Sequence, residues 1–347
     1  MSKYLKDLTE LNGASGNEKA VRKYIKEKIE NKVDKIIEDP IGNLLAIKYS
    51  GNPDAKKLLV MAHMDEVGLM VTSIESDGRL AVQPVGGVDP RVLLGKRVVV
   101  GEESLDGIIG YKAIHLQRED FSTPPKWTNI RVEIGCSKKE EAEKKVSVGD
   151  YIHFHSKFEE YDNRYIGKAF DDRAGCAVLM ELIDNYNEVS FDIYYAFVVQ
   201  EEVGLRGSGA ILKHVKPDAL LVFEGTTAGD NPELKEARWS THLDNGPALS
   251  YLQSGYVINE MLFNSIRKTA DMNGIPYQMK GRTVGGTDAT RAARTYFGVP
   301  GAVINVPSRY IHSPVCVISR SDFDNVVELA KKIVSNDDYI NALEGWK

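Results

Sequence analysis

The chain changes rhythm twice. Residues 1–70 and 162–347 alternate strand-like and helix-like segments, whereas 71–161 holds short β-prone runs separated by Gly, Asp and Ser. In the first part, Ser15 and Glu18 stand three apart as a capping box, ahead of Val21, Ile25 and Ile29 at helical spacing. "NLLAIKYSG" and "KKLLVMAHMDEVG" then read as strands. In the last part "DDRAGCAVLMELIDNYN" predicts a helix of about four turns, and "NEMLFNSIRKTADMNG" a helix closed by Gly274. "SFDIYYAFVV", "PDALLVFEG" and "GVPGAVINVP" predict strands. Such alternation predicts an α/β fold, an open sheet with helices on both faces. The middle runs, among them "KRVVVGEE", "IRVEIGC" and "VSVGDYIHFHSKF", predict a small, mostly antiparallel β-domain or barrel. The chain therefore reads as an α/β domain, 1–70 and 162–347, interrupted by an inserted β-barrel at 71–161.

Charge and composition narrow the partners. A net charge of -6, from 44 basic and 50 acidic residues, gives no basic field for nucleic acid or an anionic membrane. No apolar run approaches membrane-spanning length, and "MSKYLKDLTELNG" lacks the apolar stretch of a secretory signal. Cys136, Cys176 and Cys316 are odd in number and widely spaced, which predicts neither a disulfide framework nor a CxxC metal site. A cytoplasmic protein, with no nucleic acid and no membrane as partner, is the expectation.

In open α/β sheets ligands bind beyond the carboxyl ends of the strands. One predicted strand ends at His63 and Asp65, another at Glu201 and Glu202, a third at Glu224, and a fourth leads to His312. "KAFDDRAG" sets Asp171 and Asp172 just before a helix. Two imidazoles and several carboxylates on one edge form a mixed N/O set suited to Zn²⁺, Co²⁺ or Mn²⁺. Each element alone has a plainer reading. A lone histidine is more often structural, an Asp-Asp pair can be a helix N-cap, and a Glu-Glu pair can be a solvated loop. Adjacent residues on an extended chain point apart, which predicts opposite directions for Glu201 and Glu202.

In chain order, His63-Met-Asp65-Glu-Val-Gly, "GKAFDDRAG", "QEEVGLRGSGA", "FEGTTAGD", "GGTDAT" and "RYIHSP" resemble the motifs of the tetrahedral, self-compartmentalising dinuclear aminopeptidases, a family with glutamyl, leucyl and endoglucanase-like relatives. The resemblance covers about residues 60 to 315. It implies a zinc-peptidase/phosphorylase-like α/β fold with an open mixed sheet, and a β-barrel that serves in dimer formation. It implies two divalent metal ions per subunit, Zn or Co with Mn as a third option, held by His63, Asp171, Glu202, Glu224 and His312. Asp171 would bridge them, and Asp65 would hydrogen-bond the far nitrogen of His63. Glu201, outside the ligand count, would be the general base for a water held between the metals. Gly285, Gly286, Thr287 and Asp288 would line the substrate pocket. The implied reaction removes N-terminal residues from peptides with a free N-terminus. The implied assembly is a homo-oligomer built from dimers, a tetrahedral dodecamer.

Cys316 departs from the family pattern, which commonly has an acid at that position. His153 and His155 sit at i, i+2, a spacing open to a metal pair or to an ordinary strand. His115, His214 and His242 read as structural, and Asp172 as a helix-start residue. Two other functions compete: a glycoside hydrolase, whose minimum kit is two carboxylates, and a non-catalytic relative that serves only assembly. The first leaves both histidines unused, and the second leaves a complete donor set unexplained.

Overall fold

The computed structural model describes residues 3–113, 115, 124–230, 235, 239–281, 285–296 and 298–344. An 11-stranded mixed sheet forms the body. Its main path runs Lys35–Glu38, Leu44–Lys48, Asp192–Val198, Lys57–His63, Ala219–Thr227, Gly301–Arg309, Cys316–Ser319, Arg164–Gly167, Glu159–Tyr161. Ala248–Ser250 branches from Gly301–Arg309 and pairs with Gln278–Met279. The four central strands, Asp192–Val198 to Gly301–Arg309, are mutually parallel. They carry continuous apolar runs because both faces are covered, as parallel strands require. Every residue of Asp192–Val198 is buried.

The helix Phe170–Asp184 packs on Lys57–His63 and Ala219–Thr227 and against the last long helix, Arg320–Val334. The short helices Arg206–Ile211 and Asp288–Ala293 pack together and touch the central strands. The helix Glu260–Asn273 ends at Gly274, left-handed at φ 63 as a glycine C-cap should be.

The inserted segment closes into a barrel in the order Gly68–Ile74, Leu80–Val85, Arg131–Glu133, Leu105–Gly110, Arg97–Val100, Tyr151–Phe154. It has its own core, including Leu69, Val71, Leu80, Val98 and Ile152. Residues 114 and 116–123 of this segment lie outside the described residues. The run "SKKEEAEKKV" supplies a single helical turn, Lys139–Ala142.

The expected capping box does not form. The helix Lys19–Ile29 follows Glu18 with no side-chain cap. Ser15 Oγ donates instead to Asp65 Oδ2 at 2.6 Å, and Glu18 Oε1 accepts from Gly16 N and Gln200 N. The pattern that mimics a local cap ties the N-terminal segment to two strand ends. Nearby, Glu66 is buried with Lys168 Nζ at 2.6 Å and Arg173 Nη2 at 3.5 Å.

Candidate metal centre

Parallel strands bring their carboxyl ends to one edge. His63 closes its strand, Glu201 and Glu202 follow Asp192–Val198, and Glu224 lies in Ala219–Thr227. His312 comes from the loop after Gly301–Arg309, and Asp171 from the start of its helix. Asp171 and Asp172 lack helical dihedrals. Ala169, Gln200 and His312 are left-handed, at φ 56, 56 and 59. Such conformations cost non-glycine residues energy and cluster at functional sites; here each lies within two residues of, or at, a centre residue.

Both histidines have a fixed tautomer. His63 Nδ1 lies 3.1 Å from the Asp65 carbonyl, and His312 Nδ1 lies 2.9 Å from the Gly87 carbonyl. A carbonyl only accepts, so each Nδ1 has the hydrogen and each Nε2 is turned to the carboxylates. His63 Nε2 is 3.1 Å from Asp171 Oδ1 and 3.1 Å from Glu224 Oε1. His312 Nε2 is 3.3 Å from Asp171 Oδ2 and 3.1 Å from Glu202 Oε1. The Asp171 carboxylate thus spans the two imidazoles, one oxygen toward each.

Donor atoms within 4.8 Å of one another form three trios: His63–Asp171–Glu224, Asp171–Glu202–His312 and His63–Glu201–Glu202. Carboxylates crowded on imidazole nitrogens need positive charge among them. Burial works against a charged imidazole, but Glu224 and Asp171 outweigh it and hold His63 well above its usual range. In the same way Asp171 and Glu202 lift His312 to about 11. A divalent cation held by these residues would supply that charge in place of the proton. A cavity of about 10 Å³, bordered by Asp171, Glu202, His312, Lys168 and Cys316, has room for one water-sized species. Glu224 Oε2 has no hydrogen-bond partner among the described residues. The residues fit a metal centre.

Glu201 and Glu202 do not point apart as an extended chain would place them. Their strand ends at Val198, and left-handed Gln200 bends the chain before Glu201. Both side chains reach the trio with His63. Their backbone N–H groups donate to Asp65 Oδ1 and Oδ2, at 3.0 and 3.1 Å. The carboxylate of Asp65 is 3.4 Å from His63 Nδ1, farther than its own carbonyl. It therefore anchors the Glu-Glu turn more closely than it anchors the imidazole. Burial, and then Glu224, Asp288 and Glu202, push the carboxyl of Glu201 well above the usual range. Burial first, then Asp171 and Asp288, lifts Glu224 to about 8.

The stretch "GGTDAT" leads into the helix Asp288–Ala293, which packs against the strands that end in His63 and hold Glu224. Gly285 is left-handed at φ 89, and Gly286 has Thr290 Oγ1 only 3.3 Å from where a Cβ would sit. Thr287 Oγ1 and both Asp288 carboxylate oxygens are buried with no close hydrogen bond among the described residues, although the Ser208 hydroxyl lies near enough to Asp288 to lower its carboxyl. Burial chiefly, with Asp65 and Asp171, raises Asp288 to about 6. Asp172 accepts from Gly175 N and His63 N, so it supports the helix start and the neighbouring strand end.

His153 is buried and His155 exposed, and neither joins a donor trio. His214 faces Asp39, and His242 contacts Asn245. Cys316 Sγ donates to the Tyr310 carbonyl at 3.3 Å. A groove of about 1060 Å³, bordered by Lys56, Val257, Pro300 and neighbours, shares no residue with the centre. Sequence reasoning read Ser15 as a local cap rather than a partner of Asp65, and missed Gly87. Burial lowers the ammonium of Lys280 below its usual range, with Glu224 and Asp171 acting against it.

A buried imidazole–carboxylate cluster at the carboxyl edge of an α/β sheet defines a metal-dependent hydrolase. The chain matches the M42 glutamyl aminopeptidase family over residues 42–329, and it belongs to that family. Its activity is metal-dependent hydrolysis at the N-terminus of peptides. It is similar to the lysyl aminopeptidase of Pyrococcus furiosus, 31% identical, with 95% of each chain covered. It is also similar to the structure of aminopeptidase APDkam598 from Desulfurococcus kamchatkensis, 35% identical with TM-score 0.93, covering 99% and 97% of the two chains. A Thermotoga maritima structure described as an endoglucanase is 44% identical with TM-score 0.83, at 98% and 99% coverage. The Pyrococcus horikoshii TET1 peptidase, which assembles into a tetrahedron or a large octahedral shell, is 31% identical with TM-score 0.84, at 96% and 98% coverage.

Proposed function

We propose that the enzyme is a dinuclear aminopeptidase in which Glu201 is the general base. The carrying observation is Asp171, whose two oxygens face the two imidazoles, with Glu224 beside one and Glu202 beside the other. On that arrangement His63, Asp171 and Glu224 would hold one ion, and Asp171, Glu202 and His312 would hold the second. Mixed N/O donors suit Zn²⁺ or Co²⁺, with Mn²⁺ a weaker fit. Two bound cations would supply an acidified water and a polarised scissile carbonyl. Glu201 belongs to neither ligand trio, stays close to His63 and Glu202, and has a raised carboxyl suited to taking up a proton. It returns that proton to the leaving amine. We assign to Asp288, whose buried oxygens make no close hydrogen bond among the described residues, the role of accepting the substrate's free α-ammonium.

Glu201→Gln is expected to lower kcat on aminoacyl-p-nitroanilides by about a thousandfold or more, on the scale of lost acid–base catalysis. Metal content by elemental analysis should stay at the wild-type level. A lost ion would exchange the roles of Glu201 and Glu202. The close approach of these two carboxylates leaves the glycosidase geometry open, but that chemistry gives the two histidines no task. Release of reducing sugar by chelator-treated enzyme would overturn the peptidase mechanism. The barrel is proposed as the dimer surface and the dimer as the unit of a tetrahedral dodecamer, supported by likeness to the P. horikoshii peptidase. Light scattering in solution that gives a monomer mass removes this assembly.

A further inference from the structure

Four successive backbone N–H groups after the strand Asp192–Val198 donate to side chains rather than to a neighbouring strand. Val199 N donates to Asn43 Oδ1 at 3.0 Å and Gln200 N to Glu18 Oε1 at 3.1 Å. Glu201 N and Glu202 N donate to the two oxygens of Asp65. Three side chains thus hold the turn that delivers both glutamates to the centre. Gln200 is where the turn bends. Its φ of 56 lies in the left-handed region, which a residue with a Cβ adopts only when its surroundings hold it there. Its carbonyl accepts from Arg206 N within the same loop, and its N–H goes to Glu18, 182 residues earlier.

Glu18 is itself firmly placed. It is 3% exposed, and its Oε1 also accepts from Gly16 N at 2.7 Å. On one side Ser15 N donates to the Glu66 carbonyl, and Glu66 N to the Gly13 carbonyl. On the other side lies the barrel: the Tyr151 hydroxyl stands 2.6 Å from where a Cβ on Gly16 would sit. Burial first, with Asp65 adding to it, raises the carboxyl of Glu18, while the N–H groups of Gly16 and Gln200 pull the other way. A buried acid beside a second acid is a costly arrangement. The helix Lys19–Ile29 takes no side-chain cap from it, so capping does not account for that cost.

We infer that Glu18 is a positioning residue for the reaction: by holding Gln200 in its left-handed bend, it aims the carboxylate of Glu201 at the centre. This rests on Glu201 as the general base and deepens that reading. Glu18 belongs to no donor trio and acts only through the turn. Asp65 grips the two glutamates themselves, whereas Glu18 grips the residue before them, where the chain changes direction.

The test uses the zinc-loaded enzyme and an aminoacyl-p-nitroanilide. Glu18→Asp keeps the charge but withdraws the oxygens by one methylene, and Glu18→Gln keeps an acceptor oxygen within reach. Glu18→Asp is expected to lower kcat about 10–100-fold, the scale of a misplacement of about 1 Å, with KM and zinc content at wild-type levels. Glu18→Gln should retain most of kcat. In the Glu201→Gln enzyme, which has no base to aim, adding Glu18→Asp should cost nothing further. Hydrogen exchange read by mass spectrometry should find the segment 199–202 exchanging faster in Glu18→Asp than in wild type or Glu18→Gln. Wild-type kcat in Glu18→Asp overturns the inference. So does an equal loss of kcat in both backgrounds, the behaviour of a merely structural glutamate. Loss of zinc from Glu18→Asp would move the effect to the ligand Glu202 and overturn it as well. Full activity of Glu201→Gln alone would remove the base assignment, while the exchange comparison still decides whether Glu18 holds the turn.

Discussion

Asp65 contributes no atom to any donor trio, yet it organises two of them. Its carboxylate accepts from Ser15 Oγ, Glu201 N and Glu202 N, and its carbonyl fixes the His63 tautomer. Replacing one oxygen with an amide turns an N–H toward an N–H. A buried donor left unpaired costs about 1–3 kcal/mol. Asp65→Asn is therefore expected to loosen the Glu201–Glu202 turn and weaken metal binding by roughly 10–100-fold, as outer-sphere partners do. Zinc titration against a competing chelator measures this. Wild-type affinity for both ions would mean that Asp65 is a bystander.

At the scale of elements, the long inner strands of the body and those of the barrel were legible because each writes a local pattern, whereas short strands such as Lys35–Glu38, Glu159–Tyr161 and Gln278–Met279 were not. Apolar runs with β-branched and aromatic residues mark the central strands, and the Gly- and Asp-punctuated runs mark the barrel. The strand-end rule then gathered His63, Glu201, Glu202, Glu224 and His312 before any geometry was known. What stayed hidden depends on partners far apart in sequence. Ser15 and Glu18 satisfy a capping pattern, but the competing partners, Asp65 and Gln200, lie 50 and 182 residues away. The carbonyl that orients His312 belongs to Gly87, 225 residues earlier in the inserted segment. No pattern in "VGGVD" announces that contact. The left-handed turn at Gln200, which brings both glutamates to one centre, occurs at a residue with no preference for that conformation. Local sequence sets which side chains reach the edge; long-range packing sets how they face one another there.

On the scale of the whole molecule, the barrel and the body meet around a second buried polar cluster. His153, in the barrel strand Tyr151–Phe154, has Nε2 3.3 Å from Asn17 Nδ2 and faces Glu66, Lys168 and Arg173. Burial, aided by Lys168 and Arg173 against the pull of Glu66, lowers His153 to about 4. The folded state therefore holds it neutral. Above about pH 6.5, the free histidine value, it is neutral in both states and contributes no pH dependence. As pH falls from there toward 4, the unfolded chain takes up a proton that the fold refuses, and stability drops by up to 1.4 kcal/mol per unit. The full loss is about 3 kcal/mol. Glu66 acts in the same direction at lower pH. Burial raises its carboxyl, Lys168 and Arg173 more than offset that, and the stability it contributes is lost on protonation. His153→Gln removes the first effect and leaves the second, along with any acid-driven loss of metal. Urea unfolding at pH 7 and pH 4 should find wild type losing about 3 kcal/mol more than His153→Gln over that interval. Equal losses would show that the junction accepts the proton, and that the barrel is held to the body without a neutral imidazole.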